Sequence, residues 1–345
     1  MILADFYKDP LFSIIIIILI IVVMVIIDQT KSIFKTKAKI NSINALACAF
    51  KHHGIDDNIS ALMDVSKYPS STLTFIANVY VNNGNFDEAI KIYLTMLEKI
   101  KDTKEKLDIL ELLGITYYKA GFMQRSKNIF IEVLKNEPKN INALSLLMQS
   151  YEILGEYRKA FEVISCLEEL DANINNAKDY IHILMLINDS IMPLNEREQK
   201  ILEISKKNDF TNKIVLNYLK TYNIDGFWDL IASKEDIKEY IDILWIIENP
   251  PLEKIKNNKG LCDVYRAKGI VDDNIKCDLF ELEALRVINK YSNKKANLIF
   301  KYRCSTCHGI YPFEANRCHS CNELGSINLV MEIIKDDDEE SYSLL

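Results

Sequence analysis

Four cysteines near the C-terminal end of this 345-residue chain form two Cys-x-x-Cys pairs. Cys304 pairs with Cys307 and Cys318 with Cys321, and ten residues separate the two pairs. Each pair presents two sulfur atoms from one tight turn. Two such turns facing each other supply the four thiolates that a zinc ion or a single iron ion prefers. The spacing therefore predicts a metal-binding module over residues 300–329 that holds one zinc or iron ion per chain.

Other uses of these cysteines stay open from the sequence alone. Disulfide pairing is the competing interpretation, although paired Cys-x-x-Cys sequences in a reducing compartment indicate a metal site. An iron ion would also allow electron transfer, so a redox iron centre stands beside a structural metal site. His308 and His319 lie within the two turns, but four cysteines already complete a tetrahedral ligand set.

Catalytic chemistry finds little support elsewhere in the sequence. We find no phosphate-binding glycine loop and no nucleophile elbow. The other four cysteines lie at helical spacings and are predicted to be core residues: Cys48, Cys166, Cys262 and Cys277. The formal net charge of −7 argues against nucleic-acid binding, which needs a basic surface. We therefore predict that the chain is not an enzyme and binds no nucleic acid.

An almost unbroken apolar run, residues 11–27, lies at the other end of the chain. As a helix it would span about 26 Å, close to the ~30 Å of a bilayer core. The run lacks the basic start and small-residue cleavage site of a signal peptide, so residues 1–30 are predicted to be an uncleaved transmembrane anchor. Four lysines follow the run and one precedes it. This bias places the rest of the chain in the cytoplasm, where thiolate metal sites persist.

Between these ends, the sequence repeats around Gly84, Gly121 and Gly155, which are separated by 37 and 34 residues. Each glycine lies between two apolar helical stripes, with a tyrosine four positions earlier and a small residue five positions later: Tyr80, Tyr117, Tyr151; Ala89, Ser126, Ala160. A glycine permits a tight reversal, and the small residue lets two helices pack closely. This spacing resembles that of the tetratricopeptide repeat, a helix-turn-helix unit of 34 residues. It predicts an all-α solenoid over residues 36–295, clearest at 70–170.

The repeat becomes irregular after residue 171, although helical stripes continue at 177–189, 195–207, 211–223, 235–248 and 278–291. In such a solenoid the first helix of each repeat lines a concave surface. We predict that this surface binds a helix or a basic protein surface through polar residues: Asn78, Glu111, Tyr118, Gln149 and Glu152. Residues 335–345 form an acidic tail that is predicted to be solvated.

The order of anchor, repeats and four-cysteine module resembles the lipopolysaccharide assembly protein B family of Gram-negative bacteria. The likeness rests on Tyr302-Arg303-Cys304, on the three other cysteines of the module, on Ser326-Ile327 and on the repeat segment 73–167. The sequence departs from the family pattern at His308, where glycine is usual, and at His319, where proline is usual. It also has Asn316 and Glu323-Leu324 in place of the usual tryptophans.

The resemblance implies a rubredoxin-like metal module that packs against the repeats. It also implies an inner-membrane adaptor, facing the cytoplasm, that regulates lipopolysaccharide biosynthesis. Such a protein would link a membrane-bound AAA+ protease to the deacetylase that commits lipid A synthesis. Its partners would be proteins of that pathway and the protease, and residues 11–27 would insert into the inner membrane. The resemblance is also compatible with a homo-oligomer. Two alternatives remain: an iron redox protein docked by its repeats, and an anchored scaffold for another envelope process.

Overall fold

The computed structural model describes Met24 and residues 69–172, 174–293 and 295–335. These residues form fourteen α-helices and one three-stranded sheet. They fall into two compact units, the first ending at Asn173 and the second beginning at Ile174. The predicted anchor and acidic tail lie outside the described residues, except for Met24 and Lys335. Among the described residues, none of the helices has both the length and the apolar character needed to cross a bilayer.

The first unit contains three consecutive helical hairpins. Each helix packs against the next one along the chain, as in a repeat solenoid. The six helices are α1 (Pro69–Asn82), α2 (Phe86–Lys99), α3 (Thr103–Lys119), α4 (Met123–Asn136), α5 (Ile141–Ile153) and α6 (Tyr157–Glu169). The solenoid predicted from the glycine spacing is therefore confirmed in this unit.

The turn within each hairpin depends on its glycine. Gly84, Gly121 and Gly155 have φ angles of 78°, 83° and 72°, in the left-handed region that glycine adopts without strain. The amide of the residue after each glycine donates to the carbonyl of the predicted tyrosine five positions earlier. This pattern ends a helix and reverses the chain. The predicted small residues five positions after the glycines are fully buried between the two helices of each hairpin.

A second close approach, at Gly114 of α3, was not predicted from the sequence. A Cβ atom at this position would lie 2.9 Å from Cε1 of Phe130 and 3.1 Å from Cγ2 of Ile129, both on α4. The Ser126 hydroxyl donates to the Gly114 carbonyl at 3.0 Å. Helices α3 and α4 are therefore in contact at the backbone of α3, and any side chain at residue 114 must displace Phe130.

We predict that Gly114→Ala destabilises the first unit. Overpacking a filled site costs about 1–3 kcal/mol, which exceeds the gain of up to ~1 kcal/mol from the better helix propensity of alanine. Urea unfolding followed by helical circular dichroism measures the difference. Lys119→Ala is the control because Lys119 is exposed on the same helix. An unfolding midpoint for Gly114→Ala at or above that of the control would contradict the prediction.

The second unit contains eight helices and a sheet. The helices are α7 (Asn175–Ile187), α8 (Leu194–Lys207), α9 (Asn212–Tyr222), α10 (Ile224–Ala232), α11 (Ile241–Trp245), α12 (Leu252–Ile255), α13 (Lys259–Ala267) and α14 (Phe280–Tyr291). Helices α7, α8, α9 and α14 match predicted stripes. The stripe at 235–248 forms only a 3₁₀ turn, Lys238–Tyr240, and the short α11. Helices α10, α12 and α13 were not predicted.

The sheet has the strand order β2-β1-β3 and is antiparallel throughout. Its strands are β1 (Ala296–Cys304), β2 (Ile310–Tyr311) and β3 (Ile327–Lys335). Strands β1 and β3 pair along their whole length, from Ala296 opposite Lys335 to Cys304 opposite Ile327. The sheet thus extends beyond the predicted limits of 300 and 329. Leu298 and Met331 belong to the same buried core as the helices of this unit, so the sheet and those helices share one core.

Candidate metal centre

The four predicted ligands lie together at one end of the sheet. Their sulfur atoms all lie within 4.8 Å of one another. Cys304 Sγ lies 3.7 Å from Cys321 Sγ, and Cys307 Sγ lies 3.4 Å from Cys318 Sγ. A tetrahedral ion with metal–sulfur bonds of about 2.3 Å separates its sulfurs by about 3.8 Å. The spacing of these sulfurs therefore fits one tetrahedral ion, as the sequence predicted.

The two Cys-x-x-Cys turns have the same backbone geometry. His308 and Asn322 each follow the second cysteine of a pair, with φ angles of 60° and 57°. Each of them donates its amide proton to the carbonyl of the first cysteine of its pair, at 3.0 and 2.9 Å. His308 thus occupies a left-handed position that suits glycine, the residue usual in the resembled family. Neither His308 nor His319 belongs to the cluster of four sulfurs.

The four ligands differ in exposure and in their polar neighbours. Cys304 and Cys318, the first cysteine of each pair, are fully buried, whereas Cys307 and Cys321 are exposed. The amides of Thr306 and Cys307 lie 3.4 Å from Cys304 Sγ and donate to it. Hydroxyl groups also reach the two buried sulfurs. The metal site therefore has a covered inner side and an open outer edge.

Hydrogen bonds favour ionisation of the two buried thiols. Burial alone would raise their pKa values. For Cys304, the amides of its own turn and the Ser326 hydroxyl outweigh burial and lower the pKa to about 5. For Cys318, the hydroxyl of Tyr311 and two amides of its turn likewise lower the pKa. Both inner ligands are thus prepared for the thiolate form that binds metals.

Four thiolates so close together need a cation. The Glu323 amide favours the thiolate of Cys321, but partial desolvation of its sulfur and the three neighbouring sulfurs outweigh it and raise the pKa of this thiol to about 12. Without a cation, the cluster would hold protons at neutral pH. A zinc or iron ion held by all four cysteines would supply the missing positive charge, and it would cross-link the two turns. The donor set and its spacing therefore fit a resident metal ion.

A buried charge cluster connects the metal module to the helices of its own unit. The ammonium group of Lys213, on α9, lies 2.9 Å from Asp242 and 3.2 Å from Glu314. The Tyr302 hydroxyl, on β1, donates to Asp242 Oδ2 at 2.9 Å. The side chain of Asp242 is only 5% exposed, and it also accepts a hydrogen bond from the Ile243 amide. Its carboxylate is thus buried among hydrogen-bond donors and one cation. Sequence reasoning missed this cluster.

Two further contacts hold the turns of the module against helices of the second unit. The guanidinium of Arg317 lies over the ring of Tyr180, 6.0 Å from its centroid. The backbone of Gly325 lies against the ring of Phe210, so close that a Cβ at Gly325 would overlap the ring. The module therefore docks through packing as well as charge, although neither contact has a recognisable signal in the sequence.

Most of the residues predicted to line a partner-binding groove make hydrogen bonds to side chains of neighbouring helices. Tyr118 is only 4% exposed, and its hydroxyl donates to Gln149 at 2.9 Å. Glu111 accepts hydrogen bonds from the side chains of two asparagines at the start of α5. Glu152 is 8% exposed, and Asn78 is exposed while it accepts from Tyr93. These residues connect helices within and between repeats. Binding of a partner by this surface stays a prediction, and the buried positions of Tyr118 and Glu152 do not favour their direct contact with a partner.

The remaining cysteines differ in whether they are buried or exposed. Cys262 and Cys277 are buried, as predicted for core residues, and burial raises the pKa of Cys277 to about 12. Cys166 is exposed on α6, so its assignment to the core was wrong. It lies two positions from the buried Ile164 and one from Leu167, on the edge of the apolar stripe. Cys48 lies outside the described residues.

Comparison with known proteins gives relatives for one third of the chain. The chain is similar to lipopolysaccharide assembly protein B. The proteins of that name from Escherichia coli K12, O6:H1 and O157:H7 are each 29% identical over 119 residues. This stretch covers 33% of the chain and 31% of each relative, so the chain spans about one third of the length of the curated relatives it matches. The resemblance inferred from the sequence is confirmed over that stretch.

A repeat-family model also matches the chain. The PPR repeat model matches residues 71–99, which include most of α1 and all of α2. This is the first hairpin of the described solenoid. The match thus supports the helical repeat architecture of the first unit.

Proposed function

We propose that this chain is an adaptor in lipopolysaccharide assembly. The observation that carries the proposal is its similarity, over 119 residues, to proteins named for that process. The helical hairpins provide an extended surface of the kind that repeat proteins use to hold other proteins. The metal site supports a structural role, because four protein ligands leave no open position for a substrate. We accordingly propose a non-catalytic function.

More specifically, we propose that the chain regulates lipopolysaccharide biosynthesis. The chain is anchored in the inner membrane by residues 11–27 and faces the cytoplasm, where reduced thiolates hold the metal ion. It presents a deacetylase of the lipid A pathway to a membrane-bound AAA+ protease. The lysine bias after the apolar run and the four-thiolate site both support this placement. Binding of nucleic acid does not fit, because the chain is acidic overall and one matched PPR repeat would read at most one base.

Depletion of the protein in its source bacterium tests both the assignment to lipopolysaccharide assembly and the proposed link to proteolysis. We expect depletion to lengthen the half-life of the lipid A deacetylase and to raise the lipopolysaccharide content of the cells. Expression of the wild-type chain should reverse both changes. Altered lipopolysaccharide content with an unchanged deacetylase half-life would overturn the link to proteolysis. If neither quantity changes, the assignment to lipopolysaccharide assembly is wrong.

A redox protein is the second candidate, and the open edge of the metal site is the observation that favours it. Electrons would reach an iron ion most directly through the exposed sulfurs of Cys307 and Cys321. The absorbance spectrum of the purified protein separates this candidate from the adaptor. An oxidised iron tetrathiolate is coloured and bleaches on reduction, whereas the zinc form is colourless. A colourless protein with one zinc ion per chain would rule out the redox function.

A further inference from the structure

Hydroxyl groups reach only the two buried sulfurs of the metal centre. The Tyr311 hydroxyl lies 3.2 Å from Cys318 Sγ, and the Ser326 hydroxyl lies 3.2 Å from Cys304 Sγ. Cys307 and Cys321 are exposed, and their close side-chain contacts are with the other sulfurs of the cluster. The two turns thus receive matching support, since each has one hydroxyl group beside its first cysteine.

The direction of these hydrogen bonds follows from the chemistry of the ligands. A metal-bound cysteine is a thiolate and has no proton to donate. The proton of each contact must then come from the hydroxyl group. Tyr311 has a single hydroxyl proton and lies 2.7 Å from Ser320 Oγ. With that proton directed to Cys318, the Ser320 hydroxyl can donate to the phenol oxygen. The Ser326 hydroxyl lies 3.2 Å from both Cys304 Sγ and the Glu323 carbonyl, and its single proton can serve only one of these acceptors. A charged thiolate is a stronger acceptor than a neutral carbonyl, so in the metal-bound form the proton is directed to Cys304.

We propose that Tyr311 and Ser326 are positioning residues that retain the metal ion by donating hydrogen bonds to the thiolates of Cys318 and Cys304. A hydrogen bond to a coordinating sulfur disperses its negative charge and makes it a poorer target for protons and competing electrophiles. Groups that support metal ligands in this way typically change metal affinity by about 10–100-fold when removed. Because both donors act on the inner side, exchange of the ion begins at the outer edge, at Cys307 and Cys321.

The test uses the full chain, purified in mild detergent and loaded with Zn²⁺ or with Co²⁺. Tyr311→Phe removes the hydroxyl and keeps the ring that packs edge-on against His319, 5.2 Å between centroids. Ser326→Ala removes the second donor. The matched controls are Tyr93→Phe, whose hydroxyl bonds Asn78 in the first unit, and Ser305→Ala, whose hydroxyl bonds the Ser326 carbonyl. Each control removes a hydroxyl that donates to oxygen, so the four variants separate loss of a sulfur contact from loss of a hydroxyl.

Two measurements decide the proposal. The first is the rate at which excess EDTA removes Zn²⁺, which should rise about 10-fold or more in Tyr311→Phe and Ser326→Ala and stay near wild type in both controls. The second is the sulfur-to-cobalt charge-transfer band of the Co²⁺ form. It should move to lower energy only in the two test variants, because a thiolate that loses a hydrogen bond is easier to oxidise.

A loss of packing alone would not move the charge-transfer band, so the spectrum distinguishes a positioning role from a structural one. Release of Zn²⁺ from the test variants no faster than from the controls, with unchanged Co²⁺ spectra, would overturn the proposal. Faster release with an unchanged spectrum would overturn it too, since the hydroxyl groups would then act only by packing. These results bear on the metal centre alone and do not depend on the proposed function in lipopolysaccharide assembly.

Discussion

Replacement of Cys304 by serine is expected to abolish stable metal binding and to unfold the two Cys-x-x-Cys turns. Cys304 is fully buried, and it is a ligand of the predicted ion. With three thiolates left, the ion no longer cross-links the turns, and residues 304–326 have too little core of their own to stay folded. Elemental analysis should give one metal ion per wild-type chain and less than a tenth of that in the variant.

The structure limits how far this unfolding spreads. On the limits predicted from the sequence, the whole metal module at 300–329 would unfold. However, Leu298 of β1 and Met331 of β3 are buried in the core that the sheet shares with the helices of the second unit. We therefore expect hydrogen exchange to become fast between 304 and 326 and to remain slow near Leu298 and Met331. The control is Cys166→Ser, an exposed cysteine in the first unit, which should change neither metal content nor exchange. Slow exchange in the metal-free turns would contradict the prediction.

The second large effect is expected for Lys213→Met. This change keeps much of the side-chain volume but removes the cation between Asp242 and Glu314. Leaving a buried carboxylate without its cation costs about 3–5 kcal/mol. We expect the lower end of that range because the Lys213 side chain is 20% exposed and Tyr302 still donates to Asp242. Urea unfolding followed by the fluorescence of the tryptophans, which lie at positions 228 and 245 of the second unit, measures the change.

Glu314→Gln is the matched control and, unlike Lys213→Met, it should not destabilise the protein at pH 7. Burial raises the pKa of Glu314 above its usual 4.5, and the nearby Lys213 offsets this only in part. The folded protein therefore holds a proton on Glu314 more tightly than the unfolded chain does. Stability must fall as the pH rises above about 4.5 and through the raised pKa. The glutamine variant lacks this loss, so at pH 7 it should be at least as stable as the wild type. Marked destabilisation of Glu314→Gln at pH 7 would contradict this assignment.

The sequence carried two kinds of signal that predicted structure correctly. The first unit follows from a glycine and a small residue at fixed spacing, because a left-handed turn and a close helix contact each accept few residue types. The four metal ligands follow from cysteine spacing, because each pair of ligands must come from one tight turn. Both signals are local, since each is contained within a few residues of the chain.

Two of the three helices of the second unit that were not predicted were missed for a local reason. Helices α10 and α13 are short and contain Gly226 and Gly260 in their first turns, where glycine weakens a helical pattern. Each has an asparagine N-cap, Asn223 or Asn258, whose side chain accepts an amide hydrogen bond from the first turn. These caps are the signal that could have revealed the helices.

The charge cluster and the burial of Tyr118 were missed for a different reason, which is distance along the chain. Lys213 meets Asp242 after 29 residues, and Tyr302 meets Asp242 after 60. No spacing rule links such residues. The groove residue Tyr118 looks accessible in a repeat considered by itself, but the next repeat covers it and supplies Gln149, 31 residues away. Pairings between distant segments depend on how the segments stack, and the sequence pattern does not contain that information.

The contact between Gly325 and Phe210 constrains how this protein can change over evolutionary time. The ring of Phe210 fills the volume that any side chain at position 325 would need. Gly325 also has a φ of 70°, which few other residues accept. A larger residue at 325 would therefore be tolerated only after a smaller one had replaced Phe210, and that first step would leave a gap beside the turn. Each single step is unfavourable, so the two positions can diverge only as a pair.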